Sequence, residues 1–188
     1  MNRTPSRPRK AEAIFSATLE LLAEHGYDAL TVEAIAARAA VNKTTIYRTW
    51  ATKDEVFADA LLQAPQLAFE IPDTGSLRGD LVALGQRINR LLTHDEPRRI
   101  ITAALAALPD RPATAHAART FFADRLQREQ VIFERAHARG ELADMTDAAM
   151  IVDLIGGDLW LHTVARAKTA DDTHIERVVD IVLAGVTT

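Results

Sequence analysis

Across residues 10–25, apolar side chains return at three- and four-residue steps: Ile14, Ala17 and Leu21 on one line, Phe15, Leu19 and Leu22 on the next. That spacing predicts a helix with one broad apolar face, closed by Gly26. Thr31 is a good N-cap for a second helix, with Glu33 in its first turn, Ile35 and Ala36 facing inward and an end near Ala39. Asn42 caps a third helix of about two turns within VNKTTIYRTW. Thr52-Lys53-Asp54-Glu55 reads as a capping box for a fourth, which carries Val56, Phe57, Ala60 and Leu61. Pro65, Pro72, Gly75 and the capping candidate Ser76 mark a junction over 65–76. Five more helices are expected beyond it, at 77–92, 97–108, 112–139, 147–167 and 173–184. Gly140 closes the long one, Thr146 caps the next, and Thr173 with Glu176 forms a capping box for the last. No strand pattern competes, so the fold class is all-α with about nine helices.

A helix of two turns is unstable alone and must be held by its neighbours. Ile46 and Trp50 are four residues apart and share the inward face, together with Val41. Lys43, Thr44, Tyr47 and Arg48 then lie on the exposed face, with Thr45 and Thr49 at its edges. Two short helices joined by a tight turn and backed by a third form a helix-turn-helix, whose second helix enters the DNA major groove. Arg48 and Lys43 can bond guanine or phosphate. The threonines and Tyr47 can offer hydroxyls to phosphate oxygens. Helix N-termini at Thr31 and Thr52 present backbone N–H groups to the same backbone, with Lys53 beside the second. The expected organisation is a flexible basic arm at 1–9, a DNA-binding module at 10–64 and a larger helical effector-binding and dimerisation domain at 65–188.

A net charge of −4 argues against a polyanionic partner, but the charge is unevenly distributed. Residues 1–53 hold eight Lys and Arg against five acids, whereas 54–188 hold fourteen against twenty-one. Only the front end suits DNA. Arg3, Arg7, Arg9 and Lys10 could follow the adjacent minor groove. The chain has no Cys, which removes disulfides, cysteine–zinc sites and thiol nucleophiles. Its six His stand in no metal spacing, and no nucleophile elbow or phosphate loop occurs, so neither catalysis nor a cofactor is expected. With no secretion signal and no run of about 18 apolar residues, the expected compartment is the cytoplasm.

Over roughly residues 11–63 the chain resembles the TetR family of bacterial transcriptional regulators. The matching positions are Gly26-Tyr27, Thr31, Ile35-Ala36, Ala39, Val41, Thr45, Tyr47, Trp50, Lys53 and Phe57. Ala40 stands where the family has Gly, so the turn must accept a Cβ; Asn42 replaces Ser, Trp50 replaces Phe and Phe57 replaces Leu. PDTGSLRGD at 72–80 resembles one C-terminal subgroup. The resemblance implies a homodimeric repressor that leaves a near-palindromic double-stranded operator when a small molecule enters the C-terminal body. It places the DNA contacts on Thr31, Lys43, Thr44, Thr45, Tyr47, Arg48, Thr49 and Lys53. An activator using the same contacts, or a helical protein-interaction module that keeps the fold without operator binding, stays open.

The last two helices are apolar on more than one face, which calls for a partner beyond the core. Candidate dimer residues are Ile151, Leu154, Ile155, Gly156, Leu159, Ile175, Val178, Val179 and Val182, with Gly156-Gly157 allowing close backbone approach. Leu91, Leu105, Phe121, Phe122, Trp160 and His162 are candidates for an effector pocket, and equally for packing. Such a lining would suit an apolar or aromatic ligand.

Overall fold

Local capping chemistry starts most of the helices in the computed structural model, which describes residues 10–68, 70–106, 112–142 and 147–185. Among these residues there are nine α-helices and no strand: α1 Ala11–His25, α2 Val32–Arg38, α3 Lys43–Tyr47, α4 Lys53–Leu62, α5 Leu77–Thr93, α6 Asp95–Ala106, α7 Pro112–Ala138, α8 Ala148–Trp160 and α9 Asp172–Ala184. Side-chain oxygens of Thr31, Asn42, Thr52 and Ser76 each accept a backbone N–H in the first turn behind them. Each thereby satisfies one of the donors that a helix start leaves unpaired.

Four expectations need correction. The Thr52 box is only half closed: Glu55 accepts from the Ala51 N–H at 2.9 Å and not from that of Thr52. α6 begins at Asp95, ahead of Pro97, because a proline in the first turn costs no helical hydrogen bond. α9 begins behind Asp171, whose carboxylate accepts from His174 N at 2.8 Å, so Thr173 sits inside the helix. The helix expected over 147–167 holds α geometry only to Trp160 and continues as a π-helical turn, Leu161–Ala165. Asp147 accepts from Met150 N and caps α8; Thr146, and the expected helix end at Leu108, lie outside the described residues.

The chain divides into two compact units, one comprising the residues through Ala68 with Glu96–Phe122, the other Phe69–Asp95 with residues 123–188. The core of the first unit contains Ile14, Leu19, Leu22, Leu30, Ile35, Ile46 and Phe57, and it also includes Ile100, Ala104, Ala117 and Phe121. The core of the first unit is therefore completed by α6 and the first part of α7.

In the second unit, α5 packs on α8 and α9. A Cβ on Gly85 would lie 2.8 Å from Ile175 Cγ2 and 3.6 Å from Ile155 Cγ2. This glycine, and not Gly156-Gly157, permits the close approach within the subunit, since nothing comes within 4 Å of a Cβ built on either of those two. Asp80 is fully buried and accepts from Thr74 N at 2.6 Å and Thr74 Oγ1 at 2.8 Å. Glu141 caps the start of α5 by accepting from Leu77 N at 2.5 Å. Arg78 clamps α9 through Asp180 and Glu176, and this hydrogen bonding holds the Asp180 carboxyl below its usual range.

Five of the candidate dimer residues, Ile151, Ile155, Leu159, Ile175 and Val179, are buried inside this unit. They serve its own core because they line the sides of α8 and α9 that meet α5. Leu154 is exposed, Gly156, Val178 and Val182 are half-buried, and Met150, Leu161 and Ile181 are exposed beside them. The run Ala148–Ala165 has a mean hydropathy of 1.3 over 18 residues, the length and composition of a membrane span. One side of it packs against α5, and Asp158 is hydrogen-bonded to His174 of α9.

Candidate nucleic-acid interface

α2 and α3 meet across a tight turn whose geometry the backbone states directly. Val41 N–H reaches Ala36 O at 2.9 Å and Ala40 N–H reaches Ala37 O at 3.3 Å. These are the two bonds of a Schellman motif, which requires a left-handed residue between them. Ala40 supplies it at φ 51°. The turn thus takes its Cβ in a conformation glycine would enter freely.

Behind the turn, Ile46 and Trp50 are buried. Trp50 meets Phe15 edge to face at 5.6 Å, and its indole N–H donates to Asp59 Oδ2 at 2.8 Å. Tyr27 and Phe57 stack the same way at 5.6 Å. Arg38 ties α2 to α1 through Glu24 and Glu20, and this hydrogen bonding holds the Glu24 carboxyl below its usual range. The short helix α3 therefore rests on a fixed platform, as its length requires.

The opposite side is open. Lys43, Thr44, Tyr47 and Arg48 are exposed, Tyr47 to 51%. Thr45 and Thr49 are half-buried at the edges. Among the described residues, no ion pair or side-chain hydrogen bond engages Arg48, so its planar fork of donors is free for phosphate or guanine. Lys43 instead bonds Glu33 Oε1 at 3.0 Å, an interaction that holds the Glu33 carboxyl below its usual range. Thr31 stays exposed while its oxygen caps α2.

Lys53 differs from the expectation of a cation simply presented at the helix start. It is half-buried, donates to Leu30 O at 2.8 Å, and places its ammonium 4.6 Å from the Tyr27 ring centre. It braces the module from the start of α4. The spacing rule that identified the position carries no signal for this long-range bond. Lys10 is exposed just ahead of α1, whereas Arg3, Arg7 and Arg9 lie outside the described residues.

The candidate pocket residues are divided between the units. Leu105, Phe121 and Phe122 belong to the first, with Phe121 in its core and Phe122 edge to face on it at 5.3 Å. Leu91, Trp160 and His162 belong to the second. The His162 ring stacks on His174 at 4.0 Å and approaches Thr169 O. An open groove of about 470 Å³ runs instead along α9, lined by Thr173, Glu176, Arg177, Asp180, Ile181 and Ala184.

Comparison with known proteins matches residues 14–60 to the model of the bacterial regulatory proteins of the tetR family, and 71–182 to the tetracyclin repressor-like C-terminal domain. The chain is 32% identical over 189 residues to the HTH-type transcriptional regulator YdeS of Bacillus subtilis, covering 99% of this chain and 96% of the relative. It is 32% identical over 177 residues to the DNA-binding transcriptional repressor TetR of Mycobacteroides abscessus, covering 93% and 92%. The crystal structure of the TetR family transcription regulator SCO0332 superposes with a TM-score of 0.74 at 28% identity, covering 96% of this chain and all of that one. A platform-mounted, basic and hydroxyl-rich α3, matched domain by domain and over nearly the whole chain, makes this protein a DNA-binding transcriptional regulator of the TetR family.

Proposed function

We propose that the protein is a homodimeric repressor that a small-molecule effector releases from a near-palindromic operator. The observation that carries this reading is the exposed row Lys43, Thr44, Tyr47 and Arg48 on a helix whose other side is locked into the core. Arg48 and Lys43 read or clamp the groove, Thr31, Thr44, Thr45, Thr49 and Tyr47 bond phosphates, and Lys53 adds charge at the α4 start. The basic arm with Arg3, Arg7, Arg9 and Lys10 follows the neighbouring minor groove. Residues 10–64 supply recognition and 65–188 supply dimerisation and effector binding.

A second copy covers the apolar positions left outside: Met150, Leu154 and Leu161 on α8 and its π-helical turn, with Val178, Ile181 and Val182 on α9. Two α3 helices then address half-sites about one DNA turn apart. Repression is supported by the name of the 32%-identical Mycobacteroides relative. An effector acts by preferring the DNA-released form and shifting the population toward it. The protein works in the cytoplasm, where its operator is.

The test is fluorescence anisotropy with DNA from around the protein's own gene, repeated across salt concentrations, with an Arg48→Ala/Tyr47→Phe variant beside the parent. Selective binding that weakens steeply with salt and drops in the variant is expected. A randomised DNA library that yields no preferred site would leave the helical interaction module as the better reading.

A further inference from the structure

The second unit holds polar atoms that a folded interior ordinarily avoids. Arg87 Nη1 on α5 and Trp160 Nε1 on α8 are buried without a hydrogen-bond partner. Glu129 on α7 is only 4% exposed, with Arg125 one turn before it. Unpartnered buried donors are rare and costly, so each calls for a reason.

Helix register places these groups together. The start of α5 meets the segment that closes α7, through Leu77 with Glu141 and Asp80 with Arg139 at 3.7 Å. Asp80, Leu84, Arg87 and Leu91 share one side of α5; Arg125, Glu129, Ile132, Ala136 and Arg139 share one side of α7. α5 and α8 run in the same sense, since Gly85 meets Ile155 and Leu159 while Asn89 meets Thr163 at 3.4 Å. That puts Arg87 level with Trp160. On α8, Asp158 turns toward α9, where it bonds His174 at 2.6 Å, and Trp160 stands on the opposite side. Asp153 shares that opposite side, two turns earlier, and its charge is felt by Glu129. Gly156, one turn before Trp160, has no atom within 4 Å of where a Cβ would stand.

We propose that the space between α5, α7 and α8 is the effector site, and that it takes an amphipathic organic acid whose carboxylate is received by Arg87 Nη1 and Trp160 Nε1. The inference rests on the reading that an effector exists, and it adds that ligand's chemistry. Arg87 and Arg125 face two carboxyls, Glu129 and Asp153, and burial raises the Glu129 pKa to about 7, so while Glu129 holds its proton the two cations outnumber the one remaining anion. Leu84 and Leu91 on the same side of α5 receive the apolar part.

The test uses the full-length protein in thermal-shift and calorimetric titrations with octanoate, benzoate and naphthoate, each against its methyl ester. The acids are expected to raise the melting temperature and the esters to do so far less. Arg87→Met should weaken acid binding about tenfold or more. A second readout needs no ligand: Arg87→Met and Trp160→Phe should each leave the free protein as stable as the parent or more so, because each removes a buried donor that lacks a partner. Equal responses to acid and ester, no response to any acid, or an Arg87→Met protein that is destabilised yet keeps its acid response would overturn the proposal. Operator anisotropy on the same samples separates the two readings. Acid binding that leaves DNA bound keeps the site and defeats release; DNA release by a neutral compound alone keeps release and defeats the acid site.

Discussion

Glu129 offers the sharpest energetic test of the second unit. Burial is the main cause that lifts its pKa from 4.5 to about 7, with the Asp153 charge adding and Arg125 opposing. The folded protein therefore holds this proton more tightly than the unfolded chain does. The stabilisation is fully present below pH 4.5 and is lost as pH rises through 7. Each pKa unit corresponds to about 1.4 kcal/mol, so ionising the buried group costs the fold about 3 kcal/mol on the alkaline side. Glu129→Gln keeps the size and a polar head and removes the titration. Its stability relative to the parent should rise by up to about 3 kcal/mol between about pH 5 and about pH 8. Denaturant unfolding at fixed protomer concentration measures this, and taking the difference between the two proteins cancels the titration of every other group. A difference that does not change with pH would refute the burial argument. A parent that gains on the variant as pH rises would show instead that the Arg125 pair governs the site.

Gly85→Ala should destabilise by about 1–3 kcal/mol in the same assay, because its Cβ would stand 2.8 Å from Ile175 Cγ2 in a packed core. Ala40→Gly should raise the melting temperature, relieving about 1 kcal/mol of left-handed strain at φ 51°, less what the freer unfolded chain takes back. No gain in calorimetry would mean that the turn holds Ala40 without strain. Arg48→Ala should weaken operator binding and reduce the slope of log affinity against log salt by about one, read by anisotropy. An unchanged slope would place Arg48 away from phosphate.

The recognition module was readable in detail because its information is local. The caps Thr31, Asn42 and Thr52 act on N–H groups two or three residues away, and the four-residue spacing of Ile46 and Trp50 alone assigns the inner face of α3. Lys53 escaped that reading because its partner, Leu30 O, is 23 residues distant. At α9 Asp171, a stronger N-cap type than threonine, took the start two residues ahead of the expected Thr173.

In the body, the sequence by itself determined that the chain is helical and that α8 and α9 carry more apolar surface than one face can bury. Only the tertiary structure decided which stripe goes inward. Ile151, Ile155, Leu159, Ile175 and Val179 close on Gly85 and α5, and Met150, Leu154, Leu161 and Ile181 are left outside. Periodicity marks a helix as two-faced, but the choice of face depends on neighbours far along the chain. The same holds for Arg87, Glu129 and Trp160. Each is ordinary in its own helix, and only tertiary packing buries the Glu129 side chain and the Arg87 Nη1 and Trp160 Nε1 donors, where the cost of desolvating charge and unmet hydrogen bonds gives them meaning.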